Sequence, residues 1–200
     1  MNRLVIILVF LMGSLSCVAQ DIQLLSPNRT GGKPLMEALN ERQSNRDFSG
    51  KELCTQTLSD LLWAAYGFNR ETKRTAPSSQ DRQEIDLYVV LNSGIYFYDA
   101  KNQQLILRVE GNHQAKTGRQ PFVEVAPLNF VFVANLDKAS NRDAALIDCG
   151  FISQNIYLFC ASEGLISVVR GNIDKGELHS LLGLNEKQEV LLAQTVGYKK

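Results

Sequence analysis

Around the end of the first amphipathic stretch, Glu41-Arg42-Gln43-Ser44-Asn45-Arg46-Asp47-Phe48 places two arginines four residues apart with a serine between them. Guanidinium groups stay charged and bind phosphate or carboxylate oxygens through two parallel N–H donors. Ser44 adds a neutral donor. The segment is therefore a candidate anion clamp. Two arginines at a helix end also fit a plain solvated face, and the segment alone leaves both readings open. No Ser-His-Asp or Cys-His nucleophile pattern accompanies it. His113 and His179 are the only histidines, and neither has a His or Cys at ligand spacing, so no metal site is expected. There is no P-loop and no G-x-G-x-x-G turn, so a nicotinamide would be a transient reductant rather than a tightly held group.

The elements that must carry the clamp are legible from periodicity. Pro34 opens a helix running toward Arg42, with Leu35, Met36 and Leu39 as its apolar stripe. Thr57 with Asp60 marks a second start, and Leu58, Leu61, Leu62 and Ala65 follow at helical spacing to Gly67. The polar stretch from Asn69 to Gln83, with Pro77 inside it, is a long connection of the kind that is functional or mobile. Asp86 to Leu91, Ile95 to Tyr98 and Leu105 to Val109 form a strand meander with turns at Asn92-Ser93-Gly94 and Lys101-Asn102. Glu110 to Val125 is loop-like or weakly helical, and Leu128 to Ala134 is a buried strand. Asn141 caps a long helix to Glu163 that is apolar on most of its surface, which marks a central or interface helix. Leu165 to Val169 and Glu189 to Val196 are strands, flanking a short helix that starts at Asp174. Helices bracket strands without regular βαβ alternation, so the expected class is α+β. Tyr66, Tyr96, Tyr98 and Phe122 are either core or near a substrate. No catalytic side chain is assigned.

Four segments taken in order resemble the nitroreductase family. Arg42-x-Ser44-x-Arg46-x-Phe48 is similar to its R-x-S-x-R/K-x-F signature. Ala76-Pro77-Ser78-Ser79-Gln80-Asp81-Arg82-Gln83 resembles its P-S-S/A-x-N-x-Q loop. Asp148 to Leu165 resembles its central helix at the dimer interface, and Gln194 to Tyr198 its terminal strand ending in V-G-Y. Gly94 to Asp99 and Ala126-Pro127-Leu128 further resemble the branch of SagB-type dehydrogenases. The resemblance implies a central, mostly antiparallel sheet flanked by helices, a homodimer, and bound FMN. It implies that Arg42 and Arg46 hold the FMN phosphate, with Lys200 where the family carries a basic terminal segment. Gln43 and Ser44 would contact the ribityl chain or pyrimidine edge. Pro77, Ser78, Ser79 and Gln83 would line the flavin, partly from the second subunit. Arg170 and Gly171 stand where backbone N–H groups face flavin N5. Asp81 replaces the loop's usual Asn, an anion that would be unfavourable beside a phosphate unless Arg82 neutralises it. The implied reaction is ping-pong: NAD(P)H or another electron donor reduces FMN, which then reduces a small organic substrate. An exported binding or structural protein that keeps the fold with weak or lost FMN binding remains the alternative.

Composition bounds the rest. The 200 residues are 44% hydrophobic, and 21 Lys plus Arg balance 21 Asp plus Glu. That suits one globular domain over residues 34–200 after an arm at 20–33, and gives no global pull toward nucleic acid. Arg3, the apolar run Leu4 to Met12, and Cys17-Val18-Ala19 read as a cleaved signal peptide over residues 1–19. The expected location is therefore periplasmic, with lipid anchoring at Cys17 as the alternative. Export would separate the protein from cytoplasmic NAD(P)H and leaves another donor, or oxygen as acceptor, open. Cys54, Cys149 and Cys160 are an odd number and are expected to be free thiols.

Overall fold

Strand β5 (Leu128–Asn135) is buried along almost its whole length, and the rest of the chain is organised by what covers its two faces. The structure, a computed structural model, describes residues 20–200. The expected signal peptide at 1–19 lies outside the described residues. The other strands are β1 (Ile22–Gln23), β2 (Ile85–Leu91), β3 (Gly94–Asp99), β4 (Gln104–Glu110), β6 (Ile166–Arg170) and β7 (Gln188–Gly197). They form one seven-stranded sheet in the order β1-β4-β3-β2-β5-β7-β6. Its strand pairs are antiparallel. With its flanking helices this is the α+β architecture that the sequence implies.

Alternation along the strands assigns the faces, because successive side chains point to opposite sides. Leu87 and Val89 of β2 join Phe130 and Phe132 of β5 against helices α2 (Thr55–Tyr66) and α4 (Arg142–Ser162). Tyr88 and Val90 join Val131 and Val133 on the other side, under Leu178 of α5 (Lys175–Leu181). Helix α1 (Leu35–Glu41) packs on α4, and the short α3 (Phe122–Val125) lies beside Phe48.

Helix α4 runs as the sequence indicates. The Asn141 carboxamide oxygen accepts from Ala144 N at 2.8 Å, satisfying an N-terminal amide that the helix itself leaves open. Ala145, Cys149, Ile152, Ile156 and Cys160 face the core, while Ile147 (59% exposed) and Phe151 (43%) face outward. The α5 cap is also as expected, with Asp174 accepting from Glu177 N at 3.0 Å.

Three sequence expectations are corrected. Helix α2 starts at Thr55 behind Cys54 rather than at Thr57, and Asp60 is not a capping group. Asp60 instead accepts from Asn28 N at 2.7 Å, so it fixes the arm. The arm is not merely a lead-in. It contributes β1 and bonds Ser59 through Leu25 N and Ser162 through Lys33 N. Glu110 to Val125, read as loop-like or weakly helical, contains a 3-10 turn (Gln114–Thr117) and α3. Tyr66, Tyr96 and Tyr98 are core residues. Cys54, Cys149 and Cys160 are free thiols.

Loss of the α4 cap should be measurable. Asn141→Ala should lower unfolding free energy by about 1 kcal/mol, read as a shift in urea midpoint at constant slope. An unchanged midpoint would show that Asn141 does not hold the start of α4.

Candidate functional site

The clamp segment is fixed by backbone pairing along the open edge of β6. Ser44 bridges Ser167 in parallel sense, and Asn45 N donates to Ser167 O at 3.0 Å. Phe48 then bridges Lys199, Ser49 N donates to Tyr198 O at 2.8 Å, and Lys200 N donates to Asp47 O at 2.9 Å. Residues distant in sequence are therefore brought to one end of the sheet, and the edge amides of β6 gain partners. Phe48 is buried against Phe122, with ring centroids 5.6 Å apart, and this anchors the segment's far end.

Tyr157 of α4 holds the near end. Its hydroxyl accepts from Val169 N at 2.8 Å and lies 2.9 Å from Ser44 Oγ. The Arg42 guanidinium sits over the same ring, 5.3 Å from its centroid. A cation over a phenol face is held electrostatically, and its stem is ordered at the same time. Arg42 and Gln43 then line a cavity of about 540 Å³ together with Lys33, Tyr157, Ser167 and Lys199. Lys33 is partly neutralised there by Glu41, 2.5 Å away. Arg46 is exposed and does not line this cavity, and no side-chain ion pair of it occurs among the described residues. Lys200 is exposed and is held by its backbone alone.

Pro77, Ser78, Ser79 and Gln83 form a second group, at the other end of α4. Ser79 N donates to Asp148 Oδ2 at 2.7 Å. Ser78 Oγ accepts from Gln83 N at 2.9 Å. Gln83 is committed within the loop, donating to Thr72 O at 2.7 Å and accepting from Arg74 Nε at 3.0 Å. Arg74 lies between the rings of Tyr66 and Phe68, at 4.4 and 4.1 Å, and burial pushes its guanidinium below the usual range. Asp81 is neutralised by Lys73 rather than by Arg82, and the Lys73 contact holds its carboxyl below the usual range. Arg82 is turned instead to Gln80 and the Lys138 carbonyl. Gln80, Asp81 and Gln83 have φ of 53°, 57° and 50°, a left-handed region that side chains disfavour and that marks loops held by their surroundings.

Asp148 and Tyr157 are nine residues apart on α4, which sets the two groups roughly 13 Å apart along the helix. Within one chain the Arg42 group and the Ser79 loop stand at separate places. The sequence reading missed Tyr157, Asp148 and Arg74. The available signal was a carboxylate and a phenol inside an otherwise apolar helix, since buried polar groups need partners.

Arg170 and Gly171 end β6, and they part company. Gly171 is exposed. The Arg170 side chain turns inward and is 4% exposed. It donates to Thr117 O at 2.6 Å, Thr195 Oγ1 at 3.0 Å and Asn129 Oδ1 at 3.1 Å, and no carboxylate meets it among the described residues. Burial pushes its guanidinium down to about 10, so it stays cationic at neutral pH. A Cβ at Gly118 would lie 2.0 Å from Arg170 Nη1, so only glycine admits this approach.

A sequence model of the nitroreductase family matches residues 39–198. The chain belongs to that family. The match spans both the clamp and the 77–83 loop. Among proteins similar to this nitroreductase-family chain, one from Methanocaldococcus jannaschii, assigned as a nitroreductase, is 28% identical over 182 residues, covering 82% of this chain and 91% of that protein. A crystal structure from Ralstonia eutropha JMP134, also assigned as a nitroreductase, superposes with a TM-score of 0.86 at 39% identity, covering 93% of this chain and 92% of that one. An FMN-dependent nitroreductase of Clostridium difficile R20291 shares the fold, with a TM-score of 0.59 at 20% identity over 82% of this chain and 87% of its own.

The Arg170 network is expected to be structural in its side chain. Arg170→Met should destabilise the protein by about 3 kcal/mol, because it removes charge-assisted bonds and strands the Thr117 carbonyl and Asn129 oxygen. Chemical denaturation at pH 7 checks this, and a change under about 0.5 kcal/mol, the size of a neutral surface substitution, would contradict the network's importance.

Proposed function

We propose that this nitroreductase-family protein is an FMN-dependent oxidoreductase acting as a homodimer, with a ping-pong exchange between NAD(P)H or another electron donor and a small organic substrate. The observation that carries the reading is the gathering of Arg42, Gln43 and Lys199 at one end of the sheet around a cavity of about 540 Å³, with Ser44 just outside it on the Tyr157 hydroxyl. That donor set fits a dianionic phosphate: guanidinium and ammonium charge beside neutral hydroxyl and amide donors. The family match and the FMN dependence named for the C. difficile relative agree with it.

In this reading Arg42 and Lys199 hold the phosphate from the cavity wall, and Arg46 and Lys200, which lie outside that cavity, would add charge from the exposed end of the sheet. Gln43 and Ser44 meet the ribityl chain or pyrimidine edge. Backbone N–H groups at Arg170 and Gly171 face the ring system. Bound FMN would supply the electron-transfer chemistry that side chains alone do not provide. The protein's own part is orientation and field. Tyr157 keeps Ser44 in place and orders Arg42, while Asp148 keeps Ser79 in place.

Support for the homodimer comes from apolar surface that one chain leaves uncovered. Leu35, Met36 and Leu39 of α1 are 62%, 76% and 43% exposed, and Ile147 and Phe151 of α4, the helix on which α1 packs, also face outward. Large apolar side chains left uncovered in this number suit an interface. Two copies joined there would let Pro77, Ser78, Ser79 and Gln83 of one subunit approach the Arg42 cavity of the other. That also accounts for why the two groups stand roughly 13 Å apart along α4 within one chain. The segments Gly94 to Asp99 and Ala126 to Leu128 favour the SagB-type branch, and the residues before Gln20 favour export to the periplasm.

A visible spectrum of the purified protein should show bound flavin. Arg42→Ala and Arg46→Ala should each weaken FMN about 10- to 100-fold, the scale of one lost charge-assisted hydrogen bond, in a fluorescence titration. Unchanged FMN affinity in both variants would remove the clamp assignment. Sedimentation should give a dimer at micromolar concentration, and Phe151→Glu should shift it to monomer. A monomeric parent protein would count against the shared site.

A further inference from the structure

A cavity of about 360 Å³ lies between the N-terminal arm, helix α2 and the turn after β3, and it shares no lining residue with the Arg42 cavity. Its volume falls in the range of small-molecule pockets, roughly 300–1,000 Å³. Leu24, Trp63 and Phe68 form its apolar wall. The indole is fixed, because Trp63 Nε1 donates to Phe68 O at 3.0 Å and a Cβ at Gly67 would lie 2.4 Å from Trp63 Cδ1. The arm is fixed too. Leu25 N donates to Ser59 Oγ at 2.9 Å, and Gln56 Nε2 donates to Ser26 O at 3.1 Å. These bonds set the Arg29 guanidinium over the indole, 5.4 Å from its centroid.

The polar lining points to the ligand. Tyr98 is 6% exposed, and burial holds its phenol above the usual range, so the hydroxyl stays neutral. That hydroxyl has no hydrogen-bond partner among the described residues, and unlike that of Tyr66 it is not sealed off from solvent. Buried hydroxyls ordinarily have partners, and this one meets the cavity. Arg29, Arg70 and Lys101 stand around the mouth as exposed cations without a salt bridge among the described residues, against one carboxylate, Glu71. Arg70 commits only Nε, to Asn69 Oδ1 at 3.2 Å. The nearby Asp99 carboxylate is occupied in its own turn by Lys101 N, Asn102 N and Asn102 Nδ2, at 3.1, 3.2 and 2.7 Å. Positive charge therefore prevails at the mouth and draws an anion toward it.

We propose that this cavity is a binding site apart from the flavin cavity, and that it takes a small aromatic carboxylate carrying a hydroxyl group. The ring of the ligand lies against Leu24, Trp63 and Phe68. Its carboxylate meets the guanidinium and ammonium groups at the mouth, which bind such an anion through charge-assisted hydrogen bonds. Its hydroxyl exchanges a hydrogen bond with the buried Tyr98 hydroxyl. Arg29 is already ordered on Trp63, so less side-chain freedom is lost when the anion arrives. The inference stands whether or not the protein holds FMN, because no residue of the Arg42 cavity takes part in it.

Trp63 is the chain's single tryptophan, so its fluorescence reports on this wall of the cavity. Adding 4-hydroxybenzoate to the purified protein should change that fluorescence saturably, with a Kd of about 1 mM or tighter that calorimetry reproduces. Tyr98→Phe and the double variant Arg70→Ala/Lys101→Ala should each weaken binding about tenfold, the scale of one lost hydrogen bond to a ligand group left without a partner. The uncharged 4-hydroxybenzyl alcohol should bind the parent protein about tenfold more weakly than the acid. Tyr98→Phe should leave the urea midpoint unchanged or raised, because no protein partner is lost; a lowered midpoint would show that the hydroxyl serves the fold and would overturn its part in the site. No saturation by about 10 mM, or equal affinity in the parent and both variants, overturns the proposal. Calorimetry without and with added FMN should give the same Kd, and competition between the two would put the acid in the Arg42 cavity instead. A protein that binds no flavin sinks the flavin reading alone, since the acid titration needs none.

Discussion

Helix α4 lies between the sheet and helices α1 and α2, and it cannot shift without moving both halves of the candidate site. Its Asp148 holds Ser79 N–H, and its Tyr157 holds Val169 N–H and Ser44. Close-packed interiors transmit displacement because neighbouring side chains have no room to yield. Ala145, Cys149, Ile152, Ile156 and Cys160 lock the helix into the core, so the polar groups it carries inherit core rigidity. A ligand gripped by Arg42 and one met by the 77–83 loop are both positioned, in the end, by one helix.

Two buried charge problems are solved in different ways. Arg170 has no carboxylate partner and is satisfied by neutral oxygens of Thr117, Thr195 and Asn129. A guanidinium suits this, since its donors are spread over a rigid plane and it does not readily lose its proton. Asp148, also buried, instead accepts Ser79 N–H at 2.7 Å. The first arrangement ties β5, β6 and β7 to the 114–117 turn. The second ties the 77–83 loop to α4.

Apolar periodicity made the helices and strands legible. Leu58, Leu61, Leu62 and Ala65 could only be a helical stripe, and Leu128 to Ala134 only a buried segment. Polar residues were legible only where their partners are local. Asn141 and Asp174 cap amides three residues on, and both were read correctly. Asp60 was misread as local because its partner, Asn28, is far away in sequence. Asp81 was matched to its neighbour Arg82, yet the left-handed turn at Gln80 and Asp81 presents it to Lys73.

The sequence by itself determined the class of the fold and the family, and singled out the clamp as a candidate, because those follow from residue type and near spacing. Tertiary structure decided which charges meet. Hydrogen bonds act over about 3 Å and pair groups that the chain separates by scores of residues. Only the folded sheet could set Lys199 beside Phe48, turn Arg170 inward, and bring Ser79 against Asp148.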